Sequence, residues 1–153
     1  MSVCRQQAQL DVPLELVWAL VSDPDRYREW WPRFRDAQCP EGLREGCEFP
    51  AVMAGPLGTL EDHRLVVDDF EDCRELNIRC VGTGTYTHWT LTESRGGTFI
   101  DAEFGMDPTT VPYRVFDVLA GKRYFRRWLK ESLTALSSAA EGGVAARPES
   151  AID

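Results

Sequence analysis

The stretch "HWTLTESRGGTFIDAEF", His88 to Phe104, decides the fold class. Trp89 and Leu91 fall on one parity ahead of the turn "SRGGT". After it, Thr98, Ile100, Ala102, Phe104 and then Met106 fall on a single parity, with Asp101 and Glu103 on the other. Two alternating runs joined by a short glycine turn predict an antiparallel hairpin with one buried face. Arg79, His88, Asp101 and Glu103 are then outer-face groups, and "RGGT" is a turn rather than a phosphate loop.

The same period extends toward the N-terminus. Leu76, Ile78 and Cys80 alternate before "GTG" (Gly82 to Gly84) breaks or bulges the sheet. Leu60 to Asp69 reads as a strand, and Cys47, Phe49, Ala51 and Met53 alternate ahead of the turn "GPLG". Cys4, Ala8, Leu10 and Val12 share a parity and predict a first strand. Between these strands lies "PLELVWALVSDPDRYREWWP", Pro13 to Pro32. Leu14, Val17, Trp18 and Val21 stand at helical spacing, and "DRYREWW" predicts a second short helix stopped before Pro32. Tyr27 and Trp31, four apart, share a face; Trp30 turns away toward the rim.

Beyond Pro112 the pattern becomes helical. Val118, Phe125, Leu129 and Leu136, flanked by Leu119, Trp128 and Leu133, predict one long amphipathic helix, with Gly121 as a possible kink. From Gly142 the chain is small, polar and aperiodic and predicts a disordered tail. The expectation is a single α+β domain over residues 1–141. About seven antiparallel strands curve round a C-terminal helix, and two short helices follow strand 1. One helix cannot fill a strongly curved sheet, so a cavity is expected.

Composition removes several functions. A net charge of −8 over 153 residues argues against nucleic-acid and anionic-membrane partners, which demand a basic patch. No apolar run approaches the ~20 residues of a membrane span, and no export signal opens the chain. Five scattered cysteines without C-x-x-C predict reduced thiols and a cytoplasmic location. His63 and His88 lack metal-ligand spacing, and Walker, G-x-G-x-x-G and G-x-S-x-G patterns are missing, so no cofactor or metal is expected.

The candidate polar groups sit in "LEDHRLVV" (Leu60 to Val67), whose periodicity is ambiguous. Leu60 and Val66 favour one face, Leu65 and Val67 the other. If Leu60 faces inward, Asp62 and Arg64 do too, and His63 is solvated. A desolvated guanidinium at Arg64 would then bind a carboxylate or stabilise an enolate, with Asp62 as a base. The alternative is an exposed strand arginine among acidic neighbours. Trp89 is a pocket wall if there is a cavity and core if there is none.

The strand and helix pair ending in "REWWP", the W-x-L ahead of "GGT", and the long final helix resemble the START/Bet v 1-like superfamily over residues 3–141. The resemblance is to its polyketide cyclase/dehydrase branch, the aromatase/cyclases of type II polyketide synthases in particular. It implies a helix-grip fold and a cavity for a hydrophobic poly-ketone or aromatic ligand. It also implies aldol cyclisation and dehydration, with an acyl carrier protein as a candidate partner. Arg64 matches the family's pocket arginine and Asp62 a pocket hydroxyl residue. Tyr27, Trp31 and Trp89 match aromatic walls. Phe34 replaces a tyrosine, Cys80 a second arginine, and Gly58 and Leu60 two tryptophans. The expected catalytic pair is Arg64 and Asp62. The expected lining is Tyr27, Trp31, Phe34, Phe49, Leu60, Cys80, Trp89, Ala102 and Phe125. A non-catalytic carrier or sensor is the alternative, and a third reading makes Trp30 a surface anchor for a partner. The oligomeric state, monomer or homodimer, stays open.

Overall fold

The computed structural model describes residues 1–145. Seven strands form one antiparallel sheet: β1 (Ser2–Leu10), β2 (Phe34–Ala37), β3 (Glu48–Ala54), β4 (Leu60–Glu71), β5 (Glu75–Cys80), β6 (Thr85–Ser94) and β7 (Gly97–Met106). Their spatial order is β1-β7-β6-β5-β4-β3-β2, so every neighbour except β1–β7 is a sequence neighbour. Between β1 and β2 lie α1 (Leu14–Val21), a 3₁₀ turn (Pro24–Arg26) and α2 (Tyr27–Trp30). After β7 come α3 (Val111–Phe116), a π-helical turn (Asp117–Gly121) and α4 (Lys122–Ala145). This is the helix-grip arrangement.

The hairpin that decided the class is present with Ser94 opposite Gly97, and its expected inner row is buried. The other parity carries charge pairs on the outer face. Arg79 donates to Asp68 through two nitrogens at 2.8 and 3.2 Å, Arg5 pairs with Asp101, and His88 lies 2.7 Å from Glu75. β2 is a short edge strand that the sequence reading did not resolve.

Two helical expectations need correction. Val118 and Leu119, read as part of the apolar stripe, are 82% and 79% exposed. The π turn inserts one residue, which rotates everything before it by about 100° relative to Phe125 and Leu129. Gly121 ends that turn against β1. A Cβ there would stand 2.5 Å from Ser2 Oγ and 2.7 Å from Asp117 Oδ1, so the glycine permits close approach. Asp117, buried beside it, accepts the Ser2 N–H at 2.9 Å. At the other end, α4 runs through Ala145, past the expected start of the tail at Gly142. The rest of that segment lies outside the described residues.

The core centres on Trp31. Its ring lies 4.5 Å from Phe34, 4.8 Å from Tyr27, 5.5 Å from Trp89 and 5.9 Å from Trp128. Its indole N–H donates to Ser132 Oγ of α4 at 2.9 Å, satisfying a group that would be costly to bury unpaired. Trp30 is no surface anchor. It is 7% exposed and stacks on Trp31 at 5.2 Å with 7° between planes. Deleting the Trp31 side chain removes the plug's central ring and orphans Ser132. Trp31→Ala should therefore cost about 3–5 kcal/mol in denaturant unfolding, whereas the exposed Arg64→Ala should stay within about 0.5 kcal/mol of the parent.

Candidate functional site

The half of the grip that the aromatic plug does not fill is a cavity of about 650 Å³ between the sheet and α4. Strands β4, β5 and β6 each divide their inner row between the two halves. On β6, Thr85 and Thr87 line the cavity while Trp89 and Leu91 are core. On β5, Ile78 and Cys80 line it while Leu76 is core, and on β4 the lining is Glu61, His63 and Leu65 with Val67 in the core. Tyr124, Phe125 and Trp128 of α4 close the opposite side, with Tyr113 and Phe116 of α3 at one end. Leu57, 92% exposed in the β3–β4 turn, and Arg123 and Arg127 of α4 stand at the mouth.

The polar wall is built on β4 and β5. His63 Nδ1 lies 3.2 Å from Cys80 Sγ, and His63 Nε2 lies 3.3 Å from Glu61 Oε2. Glu61 fits because residue 55 is glycine; a Cβ there would stand 2.2 Å from Glu61 Oε1. The Gly55 carbonyl accepts from Arg33 Nη1 at 3.2 Å. Arg33 lies with its guanidinium 4.5 Å over the Tyr124 ring, and its buried Nε–H has no partner. Its backbone is in the left-handed region at φ 79°, a conformation that costs energy in a non-glycine residue and aims this side chain at the cavity.

These contacts set the charges. Burial works to raise the Cys80 thiol, but hydrogen bonds from His63 and from Thr83 outweigh it and bring the thiol down to about 7. The bond to Cys80 raises the His63 imidazole against the opposing effect of burial, with Glu61 assisting. The pair therefore approaches thiolate and imidazolium near neutrality. No group of three or more His, Cys, Asp or Glu side chains among the described residues could hold a metal ion.

The expected pair of Arg64 and Asp62 is not at the cavity. The Arg64 side chain is 73% exposed and stands 3.9 Å from Glu48 across the outer face. Asp62 is exposed on the same parity, and so is Leu60. Leu65 and Val67 take the inner face, which turns His63 inward and reverses the solvated position expected for it. Of the expected lining, Phe34, Cys80 and Phe125 face the cavity. Tyr27, Trp31, Phe49, Trp89 and Ala102 are buried in the plug or its surroundings instead. The sequence reading missed Arg33, Glu61 and His63. The charge pattern of β4 held a usable signal, since Asp62, Arg64 and Asp68 share the parity of Leu60.

Residues 1–141 match the family model described as "Polyketide cyclase / dehydrase and lipid transport". The chain belongs to this family. Solved structures share its fold at low identity. A protein from Nitrosomonas europaea is 20% identical with a TM-score of 0.72, covering 94% of this chain and 97% of that one. An AHSA1-like protein from Aeromonas hydrophila is 16% identical with a TM-score of 0.67, covering 95% and 96%. The di-domain ARO/CYC StfQ from the steffimycin biosynthetic pathway is 16% identical with a TM-score of 0.70, covering 94% of this chain and 51% of that one. No curated protein sequence matches. No helix among the described residues is long and apolar enough to cross a membrane.

The altered thiol can be titrated directly. The ultraviolet thiolate absorbance of the parent minus that of Cys80→Ser should rise with a midpoint near 7. In His63→Gln the midpoint should climb back toward the ordinary thiol range. Cys4, Cys39 and Cys73, all pushed upward chiefly by burial, should ionise later.

Proposed function

We propose that this chain takes a hydrophobic poly-ketone or aromatic molecule into the cavity and promotes aldol closure and dehydration of it. The observation that carries the reading is a mostly apolar chamber of about 650 Å³ with Glu61, His63 and Cys80 gathered on one wall. In this reading Arg33 replaces Arg64 as the cation. Its guanidinium, on the cavity lining, donates to a ligand carbonyl and stabilises the enolate oxygen as charge develops. In its neutral form His63 takes an α-proton, the resulting enolate carbon closes on a second carbonyl to form the new C–C bond, and His63 returns that proton to the new alkoxide. His63 then removes the second α-proton and passes it to the departing hydroxyl, so that water leaves as the C=C bond forms. Glu61 positions the imidazole from its other nitrogen. Holding a long chain folded against Phe34, Ile78 and Tyr124 supplies the proximity that ring closure needs. A substrate delivered on an acidic acyl carrier protein would meet Arg123 and Arg127 at the mouth.

The second reading, a carrier that returns its ligand unchanged, is favoured by the mostly apolar lining away from the His63 wall. The two separate in one experiment. Thr87→Trp fills the cavity and should weaken binding of an apolar fluorescent probe at least about tenfold, roughly 1.4 kcal/mol, while Arg64→Ala binds as the parent does. With a poly-ketone thioester as substrate, His63→Gln should keep binding and lose cyclised product. Ligand recovered unchanged from the parent protein would decide for the carrier. Unaltered probe binding in Thr87→Trp would contradict both.

A further inference from the structure

The wall that holds His63 also presents a thiol that acid–base chemistry leaves unused. A carboxylate, an imidazole and a sulfur follow one another at 3.3 and 3.2 Å, on two adjacent strands, with the sulfur facing the cavity. An activated nucleophile has this arrangement: a base within reach of the thiol, and a third group orienting the base. A buried cysteine is more often a small apolar filler. The other cysteines show what that looks like in this chain. Cys4 and Cys39 donate weakly to the carbonyls of Lys122 and Gly42, at 3.4 and 3.2 Å. Among the described residues only Cys80 is paired with an imidazole.

Other charged groups face the cavity from the remaining elements: Arg33 precedes β2, and Arg123 and Arg127 project from α4, the latter paired with Glu131 at 2.9 Å. The titratable groups left are Glu61, already bonded to His63, and Tyr86, Tyr113 and Tyr124. Thr83 adds a hydroxyl and a backbone N–H on the Cys80 side.

We propose that Cys80 is a nucleophile that adds reversibly to electrophilic ligands of this cavity, α,β-unsaturated ketones above all. The proposal rests on the reading that the cavity binds apolar carbonyl compounds. Dehydration of an aldol yields such an enone, so the thiol faces the product of the chemistry proposed for its own wall. In the step, Cys80 Sγ forms a bond to the β-carbon and the C=C π pair moves through the α-carbon onto the carbonyl oxygen. The enolate then takes a proton from the His63 imidazolium at its α-carbon. On reversal His63 removes that proton, the C–S bond breaks, and the thiolate leaves. No oxidant or reductant is involved.

The test incubates the full chain with benzylideneacetone and follows adducts by intact-mass spectrometry and peptide mapping, in the parent, Cys80→Ser and His63→Gln. Displacement of 1-anilinonaphthalene-8-sulfonate is read from the same samples. The parent should carry one adduct, on Cys80, forming at a rate that levels off above about pH 7. Cys80→Ser should displace the probe yet form no adduct. His63→Gln should react about tenfold more slowly at neutral pH, because the lost thiolate fraction is only partly offset by greater intrinsic nucleophilicity. It should regain rate as pH rises. Mapping in the parent stands without either variant. Labelling that prefers Cys39 or Cys73, or an unchanged rate in His63→Gln, overturns the nucleophile. Probe displacement by the ketone without any adduct overturns it too and leaves the binding reading intact. Failure of both ketone and probe to bind removes the binding reading and the nucleophile together.

Discussion

The indole of Trp31, donating to Ser132 from among six other aromatic rings, is the contact on which the rest of the structure depends. A curved seven-stranded sheet presents more apolar surface than one helix can cover. The short α2 segment answers this by sending Tyr27, Trp30 and Trp31 into one half of the grip, where they meet Trp89, Phe104 and Trp128. That half becomes solid. The remaining half is bounded on one side by the plug and on the other by the mouth, so the cavity's place follows from where the tryptophans sit.

Strand parity then decides the cavity's chemistry. In β4 the inner face was open to either set of residues, and the sheet chose Leu65 and Val67. Burying those two removes apolar surface from water without desolvating Asp62, Arg64 or Asp68. The opposite register would have buried all three charges. His63 and Glu61 come inward with that choice and meet Cys80 across the β4–β5 pairing, where Leu65 lies opposite Cys80. The polar wall is thus the cheaper of two foldings of one strand, and its reactive pair arises from the same register.

The fold was legible because its signals are local and repeated. The His88–Phe104 hairpin, the apolar stripe of α4 beyond Phe125 and the glycine turns each state their element within a few residues. The site was less legible for three physical reasons. In "LEDHRLVV" the apolar residues at the two ends, Leu60 and Val67, favoured opposite faces, and the family resemblance of Arg64 pulled the reading to the wrong one. Trp31 and Trp89 face inward as expected, but inward meant core, since a sequence does not say how far one aromatic ring reaches toward another. Arg33 depends on a left-handed backbone at φ 79° that nothing in "WPRF" announces. The π turn that exposes Val118 and Leu119 is equally silent in the periodicity.

The central claim is that the plug confines any ligand to the half of the grip that holds His63 and Cys80. Methyl NMR shifts during titration with an apolar aromatic ketone test it most directly. The account predicts movement of Leu65, Ile78, Thr87 and Met106, which line the cavity, with Val67, Leu76, Leu91 and Leu136 unmoved in the core. Shifts concentrated on the core set, with the cavity methyls still, would contradict it.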